Sequence, residues 1–237
     1  MFQSVSRDSI ADQVARQIRR QILNDRISPG SRLPPERDLA AQFGTNRNTL
    51  REAVRLLEEE GLIRVRQGGG MEVLDYRRHG GIHLLSHYLD DVEDAGRRAA
   101  FLMEAVALRR EAMALVVRLA AEHHSERDAH DLRASFAALE DSVGSGSGVA
   151  RADIEFHRHL GYATGRLAIA WLVNTLADAF ERLVADGRLW VVEDGYLDHM
   201  RAVLDAVIAR DPERAEAAVK RHFEAADRAL MERIESL

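Results

Sequence analysis

The 237 residues suffice for one large or two ordinary domains, and 46% hydrophobic with 30% charged residues argues against disorder. With no cysteine, no apolar run near ~20 residues and no basic, apolar N-terminal signal, the chain is expected to be cytoplasmic, without thiolate chemistry or a membrane partner. The net charge of −6 divides into +1 over residues 1–75, with 12 Arg against 11 Asp and Glu, and −7 over residues 76–237.

The first part of the chain carries the apolar spacing of helices. Three are predicted, over residues 10–24, 35–43 and 46–60. Ser9 and Asp12 form a capping box before the first helix. Pro35 suits the first position of the second helix, where its missing N–H costs nothing. Thr45 is predicted to cap the third helix.

Two short strands are predicted over residues 62–66 and 71–75, around a run of three glycines. Three helices followed by a hairpin predict a winged helix-turn-helix over residues 1–75. Arg47, Arg51 and Arg55 are four residues apart on the third helix and form one ridge. The N-terminal end of such a helix enters the major groove, where Arg can pair with guanine and Asn with adenine.

Residues 9–75 resemble the DNA-binding domain of the GntR family of bacterial regulators. The matching residues are Pro29, Gly30, Leu33, Pro34, Glu36, Arg37, Leu39, Ala40, Gly44, Arg47, Thr49, Leu50, Arg51, Glu52, Ala53, Leu57, Gly61, Leu62, Ile63 and Arg66. The resemblance implies that double-stranded operator DNA is bound through Arg37, Asn46, Arg47, Thr49, Arg51, Gly68 and Gly69. The turn before the third helix departs from the family pattern, since Thr45 and Asn46 stand where Val and Ser or Thr are usual.

The rest of the chain predicts a linker with a short connecting helix over residues 76–97, then an antiparallel α-helical bundle over residues 98–237. Helices are predicted over residues 83–92, 98–124, 127–142, 149–164, 167–187, 195–210 and 212–235. Residues 142–148 read as a flexible loop. Asp211 followed by Pro212 is a strong start for the last helix. The fold class is therefore mainly α, with one small hairpin.

Four residues of this bundle have the spacing of metal ligands. Asp153 and His157 are four apart, so both can point the same way from one helix. His199 and His222 lie on the last two predicted helices, which are antiparallel neighbours. One Asp and three His suit Zn²⁺, with Ni²⁺ or Mn²⁺ as alternatives.

Residues 98–235 resemble the FCD-type effector-binding domain of the FadR subgroup of GntR regulators. The matching residues are Arg109, Ala120, Ala121, Asp153, Ile154, Glu155, Phe156, His157, Asp211, Ala215 and His222. The resemblance implies a metal held by one Asp and three His, and a pocket for a small carboxylate or sugar acid. His199 departs from this pattern, because it lies one residue before the family's position, which falls on Met200.

Arg109 is suited to pair with an effector carboxylate, and an ordinary salt bridge, for instance with Glu104, explains it equally well. The function expected is a homodimeric, ligand-responsive transcription regulator, in such families most often a repressor. A metal-free regulator that senses acyl-CoA is the alternative within the family. A metal-dependent enzyme is disfavoured, because no separate general base or nucleophile stands at a suitable spacing.

Overall fold

In the computed structural model, residues 9–66, 68–82, 84–145, 148–184 and 192–235 are described. The chain divides into two compact units, Met1–Leu102 and Met103–Leu237. No helix within the described residues is both long and apolar enough to cross a membrane.

The first unit contains the three predicted helices and the hairpin. Its elements are α1 (Ile10–Leu23), α2 (Glu36–Gln42), α3 (Arg47–Glu59), β1 (Ile63–Arg66), β2 (Gly70–Val73), α4 (Tyr76–His79) and α5 (Leu84–Asp91). The apolar faces of α1 and α3 pack together, and their fully buried side chains include Leu23, Leu50 and Leu57. The start of the predicted linker is helical, because the Asp75 side chain accepts a hydrogen bond from the Arg77 N–H and caps α4.

The caps of the first three helices confirm one prediction and correct two. The Ser9 and Asp12 side chains accept hydrogen bonds reciprocally, as in a complete capping box. Pro35 is the N-cap of α2 rather than its first residue. Asn46, not Thr45, caps α3: its backbone is extended, and its side-chain oxygen accepts a hydrogen bond from the Thr49 N–H.

The two strands pair antiparallel, with Ile63 opposite Val73 and Arg66 opposite Gly70. Residues 30–33 run beside β2 as a third, strand-like segment, which the sequence did not predict. There the Val73 N–H donates a hydrogen bond to the Ser31 carbonyl at 2.8 Å. The turn between α3 and β1 requires glycine, since Gly61 has φ +73° and a Cβ there would lie 2.1 Å from the carbonyl oxygen of His79.

The second unit is all-helical within the described residues, and α6 contains the boundary between the units. The helices are α6 (Ala95–His123), α7 (Glu126–Ser145), α8 (Val149–Ala163), α9 (Leu167–Val184), α10 (Tyr196–Ile208) and α11 (Pro212–Glu235). With α5, they confirm the seven predicted helices. The predicted loop at 142–148 is wrong over residues 142–145, which continue α7; residues 146, 147 and 185–187 lie outside the described part.

Around one core, α8 packs between α7 and α9, and α10 packs on α11 and α7. Its large, fully buried side chains are Leu132, Leu139, Phe156, Leu160 and Met200. The predicted start of the last helix is confirmed, because the Asp211 side chain accepts a hydrogen bond from the Arg214 N–H at 3.0 Å. This core brings inward-facing residues of α6, α8, α10 and α11 to the middle of the unit.

A buried ion network ties three helices of the first unit together. Arg19 on α1 donates two hydrogen bonds to Glu60, at 2.8 and 2.6 Å, and one to Asp91 at 3.3 Å. All three side chains are buried. Arg16 reaches the same Asp91 at 3.2 Å, but its side chain is 62% exposed. The network joins the end of α3 and the end of α5 to α1.

Replacing Arg19 by Ala should destabilise the first unit by about 3–5 kcal/mol, because the buried Glu60 would lose its guanidinium partner and Asp91 would keep only the exposed Arg16. Arg16→Ala is the matched control and should cost about 1 kcal/mol or less, since its charge is solvated. Urea unfolding followed by far-UV circular dichroism measures both. Tryptophan fluorescence is the internal reference, because both tryptophans lie after residue 103. Equal midpoints for the two variants would contradict the prediction.

Candidate functional site

The first candidate site is the outer face of α3. Arg47, Arg51 and Arg55 are all exposed, as a DNA-contacting ridge requires. Arg51 is held in place across the turn: its Nε donates to Glu36 on α2 at 2.9 Å, with the arginine side chain 59% exposed. This ion pair orients the guanidinium at the surface and leaves its other N–H groups available.

The remaining predicted DNA contacts lie on the same unit. Arg37 is exposed on α2 and contacts only its neighbour Asp38 among the described charged groups. Gly68 and Gly69 form the turn of the hairpin, where Gly69 N–H donates to the Arg66 carbonyl at 2.9 Å. Asn46 is exposed, but its side-chain oxygen is engaged as the cap of α3. The predicted contact residues therefore stay predictions, with a defined position for each.

The second candidate site lies in the core of the bundle. Asp153 and His157 come together on α8, where His157 Nδ1 lies 2.8 Å from the Asp153 carbonyl oxygen and 3.2 Å from Asp153 Oδ2. Tyr196 on α10 donates its hydroxyl to Asp153 Oδ1 at 2.5 Å. His222 on α11 completes a group whose possible ligand atoms all lie within 4.8 Å of one another.

A second group shares His222 with the first. It consists of Glu193, His199 and His222, again with ligand atoms within 4.8 Å. Glu193 Oε1 lies 3.6 Å from Nδ1 of both histidines, which is too long for a hydrogen bond. Sequence reasoning missed Glu193, because it lies in a non-helical segment without periodicity; its closeness to His199 was the only available signal.

His199 and Met200 are neighbours at the start of α10 but lie in different environments. Met200 is 1% exposed and packs in the apolar core. His199 is half-buried on the first turn, one residue and about 100° around the helix from Met200. Gly195, with φ +79°, begins this helix. The one-residue offset therefore turns His199 towards Glu193 and His222 while leaving a methionine in the core.

Several polar atoms of this cluster are buried without a hydrogen-bond partner in the described part of the chain: His157 Nε2, His199 Nδ1, His222 Nδ1, both Glu193 carboxylate oxygens and Arg109 Nε. Native proteins leave few such atoms, and each needs an explanation. The chemistry of these donors, imidazole nitrogen and carboxylate oxygen, fits a divalent transition metal.

Burial and neighbouring charges shift the pKa values of the cluster, in directions that differ from group to group. Burial lowers the pKa of His222 to about 3, so its imidazole is neutral at pH 7 and keeps a lone pair. Burial opposes a charge on His157, but the neighbouring Asp153 carboxylate raises the pKa of His157 above its ordinary value. Burial also raises the pKa of Glu193. A neutral imidazole is the form that binds a metal.

Arg109 on α6 is buried next to this cluster. Its partner is Asp227 on α11, 3.0 Å away, rather than Glu104. The guanidinium lies over the ring of Phe223, 4.4 Å from its centroid. Asp227 also pairs with Arg110, whose Nη1 lies 3.5 Å from Asp227 Oδ2. Because Arg109 Nε has no described partner, the arginine retains one donor for another acceptor.

A winged helix-turn-helix with an exposed arginine ridge, followed by a helical domain with a polar core, defines a DNA-binding regulator with a sensing domain. A family model described as bacterial regulatory proteins, gntR family, matches residues 10–73. The FCD domain model matches residues 84–225. The chain therefore belongs to the GntR family of bacterial regulatory proteins and carries an FCD domain.

Similar proteins extend over nearly the whole chain. An uncharacterised HTH-type transcriptional regulator of Mycobacterium tuberculosis is 33% identical over 95% of this chain and 91% of that protein. The HTH-type transcriptional regulator Mce2R of Mycobacterium tuberculosis is 30% identical over 97% and 95%. The HTH-type transcriptional repressor NanR of Salmonella newport is 26% identical over 92% and 84%.

Solved structures agree on the fold. The protein Lar, described as controlling the agr system of Listeria monocytogenes, has a TM-score of 0.59 at 17% identity, with 96% of this chain and 99% of that chain covered. The E. coli protein McbR/YncC has a TM-score of 0.52 at 16% identity, with 96% and 99% covered. The protein is thus a DNA-binding transcriptional regulator, and its relatives and domains are not those of enzymes.

Replacing Arg51 by Ala should remove specific DNA binding without unfolding the first unit. Loss of one bidentate base contact costs about 1–3 kcal/mol, so Kd should rise ~5-fold to ~150-fold for each half-site that is read. The measurement is a gel shift with a duplex selected by the wild-type protein from a random pool.

Arg20→Ala is the matched control, because it removes an equally exposed arginine from α1, where it pairs with Glu93. It should bind the selected duplex within about threefold of wild type, the usual range for one solvated charge. Retained nanomolar affinity in the Arg51→Ala variant would contradict the assignment of α3 as the reading helix.

Proposed function

We propose that this protein is a regulator of the FadR subgroup whose bundle senses a small organic acid with the help of a bound divalent metal. The observation that carries the proposal is the set of buried imidazole and carboxylate atoms without partners in the bundle core. Asp153, His157, His199 and His222 are the residues proposed to hold the ion. Zn²⁺ suits these donors best, with Ni²⁺ or Mn²⁺ as alternatives.

When bound, the metal supplies a fixed positive charge that attracts an anionic effector. The hydrogen bonds around the proposed ligands support this role, since the Tyr196 hydroxyl orients Asp153 and the Asp153 carbonyl orients His157. Arg109 adds a buried guanidinium beside the same cluster. Its spare donor favours a ligand with a carboxylate, such as a small hydroxy acid or a sugar acid.

The protein is proposed to act as a homodimer, because GntR regulators are typically dimeric. Apolar side chains left exposed on the bundle support this. Leu167 and Trp171, 64% and 63% exposed, lie one turn apart on α9, and Leu108 and Leu115 lie two turns apart on α6. Such exposed apolar faces commonly mark protein contacts, here with a second copy of the chain.

Regulation requires that the effector bind more tightly to one of two states of the dimer that differ in DNA affinity. The relative NanR is a repressor. We therefore propose that this protein also represses transcription and that its effector relieves the repression. In this mechanism the effector is bound and released without being chemically changed.

The metal content of untagged protein purified without chelator tests the proposal, and about one Zn²⁺, Ni²⁺ or Mn²⁺ per chain is expected. Elemental mass spectrometry gives the number. Protein that carries no metal and takes up none on titration would contradict the metal site. The search for an effector would then turn to acyl-CoA, the metal-free alternative.

Replacing His157 and His222 together by Ala should abolish metal binding and the effector response while DNA binding survives, because both residues lie in the second unit. The readout is the affinity for a selected duplex with and without citrate, malate and gluconate as probes. A His123→Ala, His130→Ala variant removes two exposed histidines of the same unit and should behave like wild type. An unchanged response in the first variant would indicate a metal-independent pocket.

A further inference from the structure

Glu193 is a buried carboxylate that no predicted role explains. Its side chain is only 9% exposed, yet neither oxygen has a hydrogen-bond partner in the described part of the chain. Its Oε1 lies 3.6 Å from Nδ1 of His199 and 3.6 Å from Nδ1 of His222. A carboxylate in such a position needs a positive charge beside it, because burial disfavours its ionised form.

The neighbouring groups supply that charge only in part. Asp153 is a second carboxylate close enough to act on Glu193 electrostatically, and it disfavours a further negative charge. Arg109 is already paired with Asp227. The two histidines stand beyond hydrogen-bond distance. The structure thus places two carboxylates and three imidazoles in two groups that share His222, and a divalent cation would balance the negative charge of such a set.

The chain path explains how Glu193 reaches this place. Gly195, in the left-handed conformation, begins α10 only two residues later, so the backbone turns sharply just after Glu193. The His199 ring lies close to Gly195, 3.9 Å from where a Cβ would stand. Met200 takes the core-facing position of this turn, so His199 faces the segment that carries Glu193.

We infer that Glu193 is a protein ligand of the metal ion, which joins Asp153, His157, His199 and His222 in a site of two carboxylates and three histidines. This inference rests on the metal site proposed above. Two carboxylates formally neutralise a divalent ion, so Glu193 weakens, without removing, the attraction that the metal exerts on an anionic effector. Glu193 also supplies an oxygen where an effector carboxylate would otherwise bind, which makes it a determinant of effector affinity.

The test is the Zn²⁺ affinity of the full-length protein, measured by competition with a chromophoric chelator. Glu193→Gln keeps the size of the side chain and removes its charge; it should weaken Zn²⁺ binding at least ~10-fold, the lower end of what loss of a supporting group costs in metal sites. Asp194→Asn is the matched control, because it removes an exposed carboxylate one residue later and should bind Zn²⁺ like wild type. Glu193→Asp retains an oxygen ligand and should recover part of the affinity.

Cobalt substitution gives a second readout that a merely structural residue would not move. The visible absorption bands of bound Co²⁺ should change position and intensity in Glu193→Gln and stay unchanged in Asp194→Asn. Thermal melting followed by circular dichroism checks that each variant is folded. If Glu193→Gln is not, the Co²⁺ spectrum of Glu193→Ala decides, because this variant removes both carboxylate oxygens, and a spectrum identical to wild type would then overturn the inference.

The outcomes separate this inference from the proposed function. If the wild-type protein binds Zn²⁺ and Glu193→Gln matches it in affinity and Co²⁺ spectrum, Glu193 is not a ligand and the metal site stands without it. Tighter Zn²⁺ binding by Glu193→Gln would likewise overturn the inference, since Glu193 would then be a competing partner of the histidines. A wild-type protein that binds no metal would overturn both.

Discussion

The need to pair charged groups that are taken out of water organises both units of this protein. In the first unit the requirement is fully met, since Arg19 donates to both Glu60 and Asp91. In the bundle it is met only in part: Tyr196 and His157 contact Asp153, whereas Glu193 and three imidazoles keep unpartnered atoms. A completed network holds helices together; the incomplete one is where we propose that a ligand binds.

The two functional surfaces place different demands on their scaffolds. The arginine ridge needs a rigid helix with an exposed face, and the buried stripe of α3 against α1 provides it. The polar cluster needs groups from distant parts of the chain, so it draws on α8, the segment before α10, and α11. The arginine ridge is formed by residues that are close together in the sequence. The polar cluster forms only when the helices of the bundle pack together.

That difference explains what the sequence alone could predict. Apolar periodicity sufficed for α1, α2 and α3, the hairpin and the bundle helices, because each pattern is contained in its own segment. The strand-like segment at 30–33 and the cap of α3 depended on pairing and backbone geometry that spacing does not encode. Neither helical spacing nor a metal-ligand motif identifies Glu193. It comes beside His222 only because the backbone turns at Gly195.

The cap of α3 restricts how the operator can be read. An asparagine reads adenine with both ends of its amide, donating to N7 and accepting from N6. Asn46 already uses its oxygen to close the first turn of its own helix, and releasing that cap costs about 1 kcal/mol. If Asn46 contacts a base as proposed, its oxygen would have to serve both the Thr49 N–H and the adenine amino group, whereas a base that presents only acceptors would be met by the amide N–H groups with the cap left intact. In the proposed complex, the residue that starts the helix would thereby bias one letter of the operator.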